Sequence, residues 1–79
     1  MGEKLPIVSG KELVEFFRKH GWQRHKQTGS HIILRKVGAA RRPLVIPNYK
    51  EIGPDVLLGN LRTADISREE FINHFRRRK

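Results

Sequence analysis

Apolar positions along this chain follow two rhythms, one near 3.6 residues and one near two, and the switches between them mark its elements. Leu13, Phe16 and Phe17 recur at helical spacing, and Ser9 precedes Glu12 by three residues. That S-x-x-E relation is a capping box: the serine hydroxyl accepts from the third helical N–H while the glutamate reaches back to the cap's own N–H. Val8 before the cap and Leu13 inside it form a hydrophobic staple, and His20-Gly21 supplies the stop. A helix is therefore predicted from this cap to His20.

From Trp22 the rhythm shortens. Gln27-Thr28-Gly29-Ser30 is a turn signal between two short segments, and the second, His31-Ile32-Ile33-Leu34-Arg35, is β-branched and apolar. A loop from Val37 to Arg41 follows, and Pro43-Leu44-Val45-Ile46-Pro47 reads as a third strand, whose prolines suit a strand end or a sheet edge. Connections this short argue for an antiparallel meander. Helical spacing then returns. Gly53-Pro54-Asp55 places proline at a first helical position and an acid in the positive first turn. Leu57, Leu58 and Leu61 give that helix an apolar face, which Gly59 weakens by about 1 kcal/mol relative to alanine. Ser67 and Glu70 repeat the capping box, with Ile66 and Phe71 as staple, and Phe71, Ile72 and Phe75 carry the last helix toward Arg76-Arg77-Arg78-Lys79.

The expected fold class is α+β: a three-stranded antiparallel sheet with helices on one face, in the order helix, three strands, helix, plus a C-terminal helix. Residues 1–79 are expected to form a single domain, since a sheet of this size needs every element to cover it. Alternation in the second strand assigns the faces. Ile32 and Leu34 match the apolar set Leu13, Phe16, Leu57, Leu61 and Phe71, which leaves His31, Ile33 and Arg35 on the uncovered side. A one-residue bulge in the hairpin would reverse that assignment.

Charge changes the picture most. Lysine and arginine number 17 against 8 acids, giving a net charge of +9, so the expected partner is negatively charged. Cysteine is absent, which excludes disulfides, thiol catalysis and cysteine–zinc sites, and no histidine pair has H-x-x-x-H spacing. Apolar runs are too short for a membrane span, and Pro6 stands where a myristoylation signal needs serine or threonine. No cofactor, no metal and no membrane are expected, and a cytoplasmic location fits.

Of the four histidines, His20 suits a helix C-terminus. His25 reads equally as an RNA contact or a solvated strand residue, and His74 as a half-buried structural residue beside Phe71 and Phe75. His31 follows a tight turn at the mouth of a strand, where rigid backbone fixes a side chain that stays open to water. Metal-free RNA cleavage needs a group that takes the 2′-hydroxyl proton near neutral pH, which suits imidazole. Position alone leaves that role open beside an ordinary strand-start histidine. Gly29 permits close approach of a phosphate or simply makes the turn, and Ser30 offers a hydroxyl and an amide to the same oxygen. Arg24, Lys26 and Arg35 flank the hairpin as candidate phosphate contacts. Trp22, after a helix stop, reads as a core anchor between helix and sheet.

Three pieces of the chain resemble the HicA-type (YcfA-like) mRNA interferase toxins. They are the first helix ending in Gly21-Trp22, the stretch Gln27-Thr28-Gly29-Ser30-His31-Ile32-Ile33-Leu34 with its G-S-H segment, and Val45-Ile46-Pro47 with the residues after it. The resemblance implies a fold like a double-stranded-RNA-binding domain, mRNA cleavage with His31 as the catalytic residue, and a cognate HicB-like antitoxin that covers the site. Tyr49 stands where the family commonly has a second histidine, and Asp55-Val56-Leu57 where it has G-T-L. On this reading His31 is catalytic, while Arg24, Lys26, Gly29, Ser30 and Arg35 bind RNA. His31, Ile33 and Arg35 meet the antitoxin, with Ile33 an apolar spot among polar neighbours. A non-catalytic RNA-binding module and an antitoxin-docking subunit are the alternatives.

Overall fold

The computed structural model describes residues 5–38 and 41–76. Among these the order is α1 (Gly10–Arg18), β1 (Trp22–Thr28), β2 (His31–Lys36), β3 (Leu44–Pro47), α2 (Pro54–Ala64) and α3 (Arg68–Arg76). The strands form one antiparallel sheet in the order β1-β2-β3, so the protein is α+β and β2 is the central strand. The basic run beyond Arg76 lies outside the described residues.

Both capping serines act as their spacing predicts. Ser9 Oγ accepts from Glu12 N at 3.1 Å, and Ser9 N donates to Glu12 Oε1 at 2.9 Å. Ser67 Oγ accepts from Glu70 N at 3.0 Å, while the Glu70 carboxylate reaches across to His20 Nε2 at 2.9 Å. His20 Nδ1 lies 2.9 Å from Phe16 O, so this imidazole ties the end of α1 to the first turn of α3. Helix α2 starts with Gly53 as N-cap and Pro54 in its first turn, and ends on Asp65 in the left-handed conformation, φ 60°.

The core lies between the helices and one face of the sheet. Trp22, Ile32, Leu34, Leu44 and Ile46 pack from the strands against Leu13, Phe16, Phe17, Leu57, Leu61, Phe71 and Ile72. Phe16 is its centre, edge-on to Phe71 at 5.3 Å and to Phe17 at 5.4 Å. Trp22 is 1% exposed, as befits an anchor, although its indole N–H has no hydrogen-bond partner among the described residues. An unpaired donor costs about 1–3 kcal/mol. Burying roughly 200 Å² of ring contributes about 5 kcal/mol, so burial wins.

The facing expected for β2 holds. Ile32 and Leu34 are buried, His31 and Arg35 are exposed, and Ile33 is half-buried. The hairpin does contain a bulge, but it lies in β1, between Arg24 and Lys26. Arg24 pairs with Leu34 and Trp22 with Lys36, whereas Lys26 pairs with Ile33 and Thr28 with His31. Directly paired residues share a face, so the extra residue, His25, switches the facing of β1 midway. Trp22 thereby stays in the core while Lys26 and Thr28 join His31 on the open side.

Candidate functional site

His31 is the first residue of the central strand, held between Thr28 of β1 and Pro47 of β3. Ladder pairing on both sides fixes its backbone, and its side chain is exposed. The turn before it has two residues. Gly29 has φ 60° and Ser30 does not have positive φ, the pattern of a II′ hairpin turn with glycine at its first central position. Gly29 O accepts from Gln27 Nε2 at 3.1 Å, and Ser30 O accepts from Asn48 N at 2.6 Å, which ties the turn to the segment after β3. A Cβ on Gly29 would meet no atom within 4 Å, so this corner lies open to an approaching phosphate oxygen.

The open face carries His31, Lys26, Thr28, Gln23 and Arg35 around Ile33, with Val45 of β3 beside it and 42% exposed. The strands contain Arg24, Lys26, Arg35 and Lys36 and no carboxylate. The acids of the described residues stand on helices and loops, so the sheet's cations have no carboxylate within the sheet. Arg24 is exposed but aligned with Leu34, on the other side of the bulge, and its guanidinium donates to Gln27 Oε1. Of the residues singled out in the sequence, the structure therefore brings His31, Lys26, Ile33 and Arg35 to one face, next to Gly29 and Ser30. Arg24 stands apart from them. Val45 escaped the sequence reading, although alternation within Leu44–Pro47 would have placed it beside Ile33.

Tyr49 is 53% exposed and follows Pro47, the residue across from His31, by two positions. Its carbonyl accepts from Gly10 N at 2.8 Å, which ties this segment to the start of α1. His74 is half-buried, its ring 5.1 Å from Phe16 and 4.7 Å from Phe75. Among the described residues no group of three or more His, Cys, Asp or Glu side chains is placed to hold a metal ion. None of their helices is long and apolar enough to cross a membrane.

Among the described residues, three helices and a three-stranded sheet leave one sheet face, with Lys26 and Arg35, uncovered. Comparison with family models matches residues 10–66, well over half of the chain, to the HicA toxin of bacterial toxin–antitoxin systems. The chain belongs to the HicA toxin family, and membership makes it the toxin of a pair whose other member is an antitoxin. The matched segment runs from the first residue of α1 to the link before α3. No curated protein and no solved structure matches the chain.

Proposed function

We propose that this toxin is a metal-independent endoribonuclease that cuts mRNA in the cytoplasm, with His31 as its general acid–base. The observation that carries the reading is the placement of His31: exposed, on rigid central-strand backbone, beside an open Gly29–Ser30 corner and on the same face as Lys26 and Arg35. His31 takes the proton from a ribose 2′-hydroxyl as that oxygen attacks the neighbouring phosphorus. The bond to the 5′-oxygen breaks, leaving a 2′,3′-cyclic phosphate and a 5′-hydroxyl, and imidazolium is then available to protonate the leaving oxygen. Lys26, paired with Ile33 two positions along the strand from His31, stabilises the charge that builds on the phosphorane, while Arg35, farther along the same face, holds the RNA backbone.

The purified protein is expected to cut single-stranded RNA in the presence of a chelator, and His31→Ala to abolish cutting while the circular dichroism spectrum is unchanged. Undiminished cutting by a folded His31→Ala variant would remove His31 from the mechanism, and loss of cutting in chelator would defeat the metal-free scheme. The antitoxin is proposed to cover the same face, with His31, Ile33 and Arg35 in its footprint.

A further inference from the structure

The bulge in β1 does more than switch faces. Beside it lies a cleft lined by Gln23, Arg24, His25, Arg35, Lys36 and Val37, and no acid stands among these residues. Lys36 donates to His20 O at 2.6 Å and its ammonium lies 5.9 Å from the centre of the Trp22 ring, so this side chain is held in place. Arg35 pairs with Gln23 and Arg24 with Leu34, so the two arginines stand on opposite faces of the hairpin, yet both line this cleft next to the bulged His25. Four β2 residues at about 3.3 Å each place Arg35 about 13 Å from His31. That spans roughly four stacked nucleotides at about 3.4 Å each, and fewer when the chain is extended.

We propose that this cleft is a second phosphate subsite, in which a backbone phosphate of single-stranded RNA, a few nucleotides from the bond cut at His31, docks against Arg24, His25 and Arg35. The inference rests on the ribonuclease reading above and extends it from one bond to a longer stretch of the strand. Phosphate suits the cleft better than a protein does. A protein interface centres on desolvated apolar side chains, and those of the open face are Ile33 and Val45, away from the cleft, where Val37 is the one apolar lining residue. Two arginines lining one concave wall without a carboxylate suit phosphate oxygens.

The test compares two single-stranded RNA probes carrying a 2′-deoxy nucleotide at the cleavage position, a trinucleotide and a dodecanucleotide, with binding followed by fluorescence anisotropy. The wild-type protein should bind the longer probe much more tightly. Both His25→Glu and Arg24→Ala should lower affinity for the longer probe by roughly tenfold, the worth of one charge-assisted contact, and change that for the trinucleotide less than twofold. Equal losses on both probes, or no loss on the longer one, would overturn the subsite while leaving cleavage at His31 intact. An oligoglutamate peptide of the same charge should bind at least tenfold more weakly than the longer probe. Equal binding by the peptide would show an acidic-protein dock instead. A wild-type protein that binds neither RNA would bring down the ribonuclease reading and the subsite with it.

Discussion

Gly10 shows how much a single position carries. It opens α1, and its N–H donates to Tyr49 O at 2.8 Å. A Cβ built there would stand 2.1 Å from Pro47 O, so the helix start presses directly on the backbone that leaves β3. Contact this close admits only glycine, and the backbone it touches is not the yielding end of a flexible side chain. Gly10→Ala is expected to destabilise the protein by about 1–3 kcal/mol, which for a chain of this size lowers Tm by roughly 4–8 °C per kcal/mol. A thermal melt measures it, and an unchanged Tm would mean that the two segments separate freely. The same contact holds Tyr49 and Asn48 near the turn before His31, so RNA cleavage by a folded Gly10→Ala protein should also fall.

At the scale of elements, the sheet has two free edges and protects them differently. On β3 the outward carbonyl of Val45 accepts from Asn60 Nδ2 at 3.2 Å, and Pro43 and Pro47 have no N–H to offer a new strand. Asn60 is 9% exposed and its amide also donates to Val56 O at 3.0 Å, so one buried side chain of α2 both braces its own helix and closes the edge. Asn60→Leu preserves size and removes both bonds. It is expected to cost about 1–3 kcal/mol in a urea titration, and to promote self-association visible by light scattering. An unchanged midpoint would assign the edge protection to the prolines alone. On β1 the guard is charge and a bulge, with Arg24, His25 and Lys26 exposed in succession.

Among the described residues the helices mix acids with cations, whereas the strands carry cations and no acid. With a net charge of +9, RNA affinity should fall steeply with salt, by a log–log slope of roughly −0.7 for each phosphate neutralised on a single strand. Lys26→Ala should reduce the magnitude of that slope by less than one unit without altering which sequences are preferred, whereas a salt-independent affinity would show that the basic face is not an RNA footprint. The antitoxin is proposed to meet the same face at its apolar centre. Ile33→Asp or Arg35→Glu is expected to weaken the toxin–antitoxin complex by more than about 1 kcal/mol while leaving the domain folded, as calorimetry of the purified pair would measure. A complex that leaves His31 open to solvent would defeat occlusion of the site.

The sequence by itself determined what depends on near neighbours. Helix starts follow from Ser9 with Glu12, Ser67 with Glu70, and Pro54, because caps act over three or four residues. The facing of β2 follows from the period of two through Ile32, Leu34 and their neighbours, and the turn from Gly29, whose positive φ costs nothing. The G-S-H segment marked His31. Tertiary structure alone decided the rest. The bulge at His25 cannot be read from Arg24-His25-Lys26, because it settles a conflict between distant demands: Trp22 must stay in the core while the hairpin tip pairs in register with β2. That conflict places Lys26 on His31's side and Arg24 at the cleft. The bond from His20 to Glu70, fifty residues on, and that from Asn60 to Val45 likewise join groups that no local period relates. Such pairs exist only once the core has brought α3 against α1 and α2 against β3.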